Sequence, residues 1–385
     1  MDKVRFGIIG IGNRGTEIAQ RILNGETTEL EVTAVADTDP ARLAWAAENL
    51  PGVQRFDSAQ ALLDSGAVDA VVVAVPHYDH PGLCLEALKR NIHVMCEKPA
   101  GVYTKAVRPV IEYTKICPAT FAMMFNQRTN CVYRKMKEIV ASGALGQIRR
   151  VNWLITSWFR SQSYYDSGSW RATWAGEGGG VLLNQCPHNL DLLQWICGMP
   201  VRVRAFVHNG KWHDIEVEDD VTAYMEFENG ATGTFITSTG DTPGDNRFEI
   251  TLDGGTLICD GKALTLEKLK TPIPQFMREY KAGFGRPDCE VMPVETDGLN
   301  LQTAGVLNAF AAHILRGEPL VAEGAEGING LTLSNAMHLS AWTDQMISLP
   351  LDEDLFLTEL NKRRAVSRQK APVQGSGMMD ISQSR

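Results

Sequence analysis

Val4-Arg5-Phe6-Gly7-Ile8-Ile9-Gly10-Ile11-Gly12-Asn13-Arg14-Gly15 is an apolar run that closes in G-x-G-x-x-G. The run predicts a strand, and the glycines behind it predict a tight turn into a helix. Each glycine answers a separate demand: Gly10 permits the turn, Gly12 lets the backbone approach a pyrophosphate, and Gly15 lets helix and strand pack closely. The helix N-terminus, with Ile11, Asn13 and Arg14 in the turn, favours an anion. A second apolar run, residues 31–36, stops at Asp37, 22 residues beyond Gly15. A carboxylate there accepts hydrogen bonds from a ribose diol and repels a 2′-phosphate. The cofactor read from these residues is NAD, with NADP less favoured and kept open by Arg14 and Arg42. A glycine-rich turn in a fold that has lost its nucleotide is the structural alternative.

Working outward, residues 67–75 and 92–96 predict further strands, with a fifth at 120–125, and residues 16–23, 40–49 and 80–90 predict the helices between them. Val71-Val72-Val73-Ala74-Val75 is continuously apolar, as a parallel strand buried on both faces must be. Residues 1–125 therefore read as an α/β dinucleotide-binding domain of the Rossmann type, a doubly wound parallel sheet. After Gly146 the pattern changes to alternation, at 148–158, 201–208, 221–227, 231–238, 247–252 and 263–268. Turn residues such as Glu228-Asn229-Gly230 separate the runs, so an open, mostly antiparallel sheet with one covered face is expected. Helices at 186–197, 300–316 and 327–346 supply the cover. Residues 126–364 are accordingly read as an α+β domain for substrate binding and oligomerisation. Residues 365–385, rich in Ser, Gln and Gly, read as a flexible tail or an arm that orders on a neighbour.

Composition narrows the partners. The chain has 385 residues, 44% hydrophobic and 22% charged, which suits a globular protein of two large domains. Its 37 basic and 46 acidic residues give a net charge of −9, and no basic run is present, so neither nucleic acid nor an anionic membrane is an expected partner. Small, uncharged partners fit better. The eight cysteines form no CxxC pair and lie mostly in apolar stretches, as buried reduced thiols do. With a first apolar run too short for a signal peptide and no membrane-length segment, a cytoplasmic protein is expected.

Lys98 follows the fourth strand in Cys96-Glu97-Lys98-Pro99, at the sheet edge where ligands bind in such folds. Its cation either orients a hydroxyl and lowers its pKa or forms a solvated pair with Glu97. In Asn184-Gln185-Cys186-Pro187-His188-Asn189-Leu190-Asp191, positions 184, 188 and 191 are spaced to share one helix face, and Pro187 is tolerable only in a first turn. His188 suits a general base for a hydroxyl proton. The structural alternative is a His and Asp hydrogen bond at a helix start. A metal site from His188 and Asp191 with His77 or His80 matches no recognised zinc spacing, and none is expected. Residues 157–165 and 170–174 concentrate aromatic and hydrogen-bonding side chains; Tyr164, Trp170 and Arg171 suit a sugar, unless the cluster is buried packing or a subunit contact. Val75, the last residue of the third strand, and Pro76, His77, Asp79 and His80 just beyond it are expected on the nicotinamide side of the crevice, with His80 alternatively a helix-start residue.

Together, Glu97-Lys98-Pro99, Asn126-Gln127-Arg128, Trp170-Arg171, and Gly178-Gly179-Gly180 followed by Asn184, His188 and Asp191 resemble the Gfo/Idh/MocA oxidoreductase family. That family includes glucose-fructose oxidoreductase and inositol dehydrogenases, and the likeness runs over residues 1 to 364. It implies Lys98 and His188 as the catalytic pair, Glu97, Lys98 and Asn126 beside the cofactor, and Arg128, Asn184 and Asp191 beside the substrate. It also implies a cis bond before Pro99 and a homodimer or homotetramer that covers the open sheet face, which would otherwise be a large apolar surface. Asn184 departs from the aspartate of many members. An amide binds hydroxyls but accepts no proton, so the base role shifts to His188.

The expected activity is an NAD-dependent dehydrogenase, or the reverse ketone reductase, acting on a secondary hydroxyl of a sugar, cyclitol or glycoside. The alternative is a glycoside-cleaving enzyme that retains NAD and oxidises the sugar only transiently. A sensor that holds NAD without turnover is disfavoured because Lys98 and His188 are both present.

Overall fold

The computed structural model describes residues 3–368 and 370. Strands β1 (Val4–Ile9), β2 (Leu30–Ala36), β3 (Gln54–Phe56), β4 (Ala70–Val73), β5 (His93–Cys96) and β6 (Phe121–Met123) form one sheet in the order β3-β2-β1-β4-β5-β6, and every pair is parallel. Helices α1 (Asn13–Leu23), α2 (Pro40–Asn49), α3 (Ala59–Asp64), α4 (His80–Lys89) and α5 (Thr104–Thr114) cross between the strands. Because the order reverses between β1 and β4, their carboxyl ends open a crevice at that point.

The second sheet contains β7 (Ile148–Ile155), β8 (Arg202–Asn209), β9 (Glu218–Glu226), β10 (Thr232–Ser238), β11 (Asn246–Leu252), β12 (Gly255–Cys259), β13 (Leu264–Leu269), β14 (Cys289–Pro293) and β15 (Ile347–Ser348). Its order is β14-β13-β12-β11-β7-β10-β9-β8-β15, antiparallel except where β10 joins β7. Trp153 of β7 stacks on Phe248 of β11 at 4.1 Å under the covered face. Helices α6 (Cys131–Ala141), α8 (Pro187–Cys197) and α11 (Gly327–Thr343) pack together on that side, while α7 (Gln162–Asp166) and α9 (Ile273–Glu279) are short connections. The outer face is not the apolar surface expected. Along β8 and β9 it presents Arg202, Arg204, Phe206, His208, Thr222, Tyr224 and Glu226, so Phe206 and Tyr224 are isolated among polar groups.

Helix α10 (Gln302–Arg316), which sequence order groups with the second half, covers the first sheet instead. Val306, Leu307, Phe310 and Ala311 share a core with Val4, Phe6 and Ile8, and the rings of Phe310 and Phe6 meet edge to face at 6.4 Å. After α12 (Glu353–Ala365) the described start of the tail lies on its own chain: the Ser367 hydroxyl receives the Ala175 N–H at 3.0 Å and Lys370 donates to the Tyr165 carbonyl at 3.0 Å. Residues 371–385 lie outside the described residues. Among the described residues no helix is long and apolar enough to cross a membrane.

Candidate functional site

The glycine turn behaves as its sequence demands. Gly10 has φ +93°, and a Cβ on it would stand 2.4 Å from the Ala74 carbonyl oxygen, while one on Gly15 would stand 1.9 Å from the Gly10 oxygen. Both positions are fixed by the protein's own packing. A Cβ on Gly12 meets nothing within 4 Å, so open space lies beside the first turn of α1, where unbonded N–H groups favour an anion. Asp37, at the end of β2, accepts the Ile11 N–H at 2.7 Å and the Asp39 N–H at 2.9 Å. It therefore shapes the glycine turn and keeps lone pairs for a further donor.

Arg14 reaches across the crevice. Its guanidinium binds Glu97 at 2.6 Å, Glu17 at 2.5 Å and the Thr303 hydroxyl at 3.0 Å. Glu97 is nearly fully buried and also receives the Lys98 N–H at 3.2 Å, so its carboxylate acts here by fixing Arg14. Asn126 donates to Gln302 at 2.5 Å, and its own amide oxygen is buried with no partner. That orphan acceptor, together with the open cradle at Gly12 and the carboxylate of Asp37, suits a dinucleotide with a diol and an amide.

Lys98, whose bond to Pro99 is cis, donates its Nζ to the carbonyl of Asn184 at 2.6 Å. Burial lowers its pKa against the pull of Glu97, and the Arg14 and Arg160 cations lower it further, to about 8. His188 is the second residue of α8 and lies edge-on to Phe125 at 6.3 Å. Burial, then Lys98 and Arg14, hold it well below the usual imidazole range, and its Nδ1 has no partner. The ring is neutral at neutral pH.

Asn184 precedes α8 because Pro187 starts the helix, so the expected common face of 184, 188 and 191 does not form. Asn184 is positioned instead by the backbone running from Gly178. A Cβ on Gly180 would stand 2.0 Å from the Glu218 carbonyl oxygen, and Val181 and Leu182 are both bonded to Glu218. The amide nitrogen of Asn184 is hydrogen-bonded to the buried carboxylate of Glu177, whose second oxygen accepts the Ala172 N–H at 2.6 Å. Burial raises the Glu177 pKa despite nearby Arg171 and these donors. The sequence reading missed Glu177, and its one local signal is an acid directly before three glycines.

Two expected site residues turn inward. Asp191 and Arg128 form a two-point ion pair at 2.8 Å, with side-chain exposures of 1% and 2%, and Arg128 also binds Glu326 at 2.7 Å. Removing one partner of such a pair costs about 3–5 kcal/mol, so both belong to the support of α8 rather than to the crevice wall. His80 is likewise a clamp, because its two ring nitrogens lie 2.7 Å from the Pro99 carbonyl and 2.8 Å from that of Val75. Burial opposes its charge, yet Cys96 and these two carbonyls raise its pKa to about 9. It ties the end of β4 to the turn carrying Lys98. Among the described residues no three His, Cys, Asp or Glu side chains gather as metal ligands.

The aromatic segment closes the other side. The Tyr164 hydroxyl stands 3.4 Å from the Asn184 oxygen, 2.9 Å from Arg171 and 3.3 Å from Gln185. Arg171 lies 4.7 Å from both the Tyr164 and Trp170 rings, and Trp170 meets His77 edge-on at 5.6 Å. Tyr164, Trp170, Arg171 and Asn184 are therefore brought together, and His77, with its Nδ1 3.3 Å from the Glu177 carbonyl, joins them.

Two family models match the chain. "Oxidoreductase family, NAD-binding Rossmann fold" covers residues 4–116, and "GFO/IDH/MocA C-terminal domain" covers residues 133–258. Inositol 2-dehydrogenase of Corynebacterium glutamicum (strain R) is 26% identical over 59% of this chain and 64% of its own length. The chain thus spans just under two thirds of that relative. D-xylose 1-dehydrogenase (NADP(+)) 2 of Haloferax volcanii is 27% identical over 66% of this chain and 74% of its own. Among solved structures, the WlbA dehydrogenase of Chromobacterium violaceum, in complex with NADH and UDP-GlcNAcA, is 25% identical with a TM-score of 0.77, covering 91% of this chain and 97% of that one.

Proposed function

We propose that this chain, which belongs to the Gfo/Idh/MocA oxidoreductase family, oxidises a secondary hydroxyl of a sugar, cyclitol or glycoside, or reduces the matching ketone. NAD is the preferred dinucleotide. The glycine turn and the first turn of α1 hold its pyrophosphate, Asp37 its ribose diol, and Asn126 the amide end. When bound, the nicotinamide accepts or supplies the hydride. Relatives named for inositol and xylose support a polyol substrate, and the Haloferax relative named for NADP(+) makes NADP the competing dinucleotide.

The observation that carries the reading is two basic groups in one crevice, Lys98 bound to the Asn184 carbonyl at 2.6 Å and His188 with its Nδ1 buried without a partner, both held below their usual ranges by burial. A neutral imidazole takes the hydroxyl proton, while the Lys98 ammonium, held to the Asn184 carbonyl, stabilises charge developing on oxygen. Asn184 and Tyr164 offer an acceptor and a donor for neighbouring hydroxyls.

The test is NADH formation by purified protein with NAD and a panel of sugars, glycosides and inositols. His188→Ala is expected to lower kcat/KM by roughly 10²–10⁴-fold, and Lys98→Ala by roughly 10²–10³-fold, with NADH binding kept in both. Release of an aglycone without net NADH would replace this reading by transient oxidation and cleavage.

A further inference from the structure

We infer that the substrate of this site is acidic: a carbohydrate carrying a carboxylate or phosphate, whose anion lies against Arg160 and Arg171. The inference rests on the proposed oxidoreductase reading and names the substrate class of that same crevice.

The two guanidiniums belong to a single ladder of alternating rings and cations. Arg160 lies 5.8 Å from the Trp158 ring and 5.2 Å from the Tyr164 ring, and Arg171 continues the series at 4.7 Å from Tyr164 and 4.7 Å from Trp170. Stacking between aromatic faces orients a guanidinium and strips part of its water, while leaving its N–H edge directed outward. Each arginine has five donors. Arg160 donates to the Phe159 carbonyl and Arg171 to the Tyr164 hydroxyl, both at 2.9 Å, and neither makes an ion pair among the described residues. Elsewhere this chain pairs its half-buried arginines with carboxylates, as at Arg14, Arg90 and Arg363. Two adjacent, partly desolvated guanidiniums that bond no carboxylate, with only Glu177 close enough to Arg171 to feel its charge, are therefore an arrangement that a ligand completes.

Their position ties them to the chemistry. The Tyr164 hydroxyl between them touches Asn184, whose carbonyl holds Lys98, and the Arg160 charge is close enough to depress the Lys98 pKa. Glu177, whose carboxylate the Arg171 charge favours, has its oxygens bonded to the Asn184 amide and the Ala172 N–H, so each guanidinium keeps free donors. A second observation points to a ligand at the same place. The Trp158 indole nitrogen and the Gln185 amide oxygen are buried without partners, a donor and an acceptor beside the ladder. Carboxylate and phosphate are the groups that guanidinium forks bind with two parallel hydrogen bonds. The net charge of −9, which favours uncharged partners for the molecule as a whole, does not describe this crevice.

The experiment compares matched pairs, glucose with glucuronate and glucose with glucose 6-phosphate, in two readouts: NAD reduction, and binding to the NADH-saturated protein by calorimetry. An acidic member is expected to exceed its neutral partner roughly tenfold or more in kcat/KM or affinity. That advantage should shrink at about 0.5 M salt, where charges are screened within a few ångströms. Arg160→Gln and Arg171→Gln should each reduce the acid-to-neutral ratio roughly tenfold, with NADH binding retained. The carboxylate and phosphate arms separate the two anions. Neutral sugars oxidised or bound as well as both acids would overturn the inference and leave the oxidoreductase reading standing. Acids bound selectively with no sugar oxidised would do the reverse, and acids neither bound nor oxidised would overturn it as well.

Discussion

At the scale of single residues, the site depends on how charge is divided between Glu177 and Asn184. The amide nitrogen of Asn184 faces a buried carboxylate, so the pair carries one negative charge, and the amide oxygen is left for Tyr164 and a ligand. Asn184→Asp would set two carboxyls against each other, forcing one to hold a proton. That variant is expected to lose roughly tenfold or more in kcat/KM and to gain a new acid-side limb in its pH profile. Glu177→Gln added to it should restore much of the loss, because the two positions are coupled. Steady-state profiles of the single and double variants check this, and equal losses in both would contradict it. On the proposed mechanism Lys98 sets the alkaline limb: with its pKa lowered to about 8 it is charged below that pH and neutral above. Since its proposed role is to stabilise a developing alkoxide, oxidation kcat/KM is expected to fall as pH rises through about 8. His188, held neutral, adds no limb within the usual imidazole range. Lys98→Arg, which keeps its charge, should be slower but lack the alkaline fall.

At the scale of elements, the glycine turn and the start of α8 show two kinds of constraint. Gly15 is required by the fold, since its Cβ would meet the Gly10 carbonyl, whereas Gly12 borders open space. Gly12→Ala is therefore expected to leave the thermal midpoint nearly unchanged while cutting NADH affinity roughly tenfold or more, and Gly15→Ala to lower both. Differential scanning fluorimetry with an NADH titration separates the two, and an unchanged affinity in Gly12→Ala would place the dinucleotide elsewhere. The boundary of α8 shows where spacing misleads. Positions 184, 188 and 191 share a face only if one helix carries all three, and the proline that marks the first turn leaves Asn184 outside it. Asp191 then faces Arg128 in the interior. Likewise β4 occupies only Ala70–Val73 of the strand expected at 67–75, because β1, its parallel partner, pairs with it only from Phe6 to Ile9.

At the scale of the whole molecule, the parallel sheet, its glycine turn and the mixed second sheet are legible because each is written in local periodicity. The short strands β3, β14 and β15 are not, since they are edge or near-edge pieces with little buried apolar pattern. Nor is the return of α10 to the first sheet, which brings Thr303 to Arg14 and Gln302 to Asn126 from the far end of the chain. Of the site, the glycines, Asp37, Lys98, His188, Tyr164, Trp170 and Arg171 were readable as motifs or clusters. The bonds of Glu177, and the ring-stacked Arg160 and Arg171, form only once the segment following β7 folds back across the crevice. The most direct test of the central claim is the stoichiometry of NADH formed to substrate consumed, measured on the first polyol of the panel that turns over. A dehydrogenase predicts one NADH for each ketone produced, and substrate consumed without net NADH would contradict it.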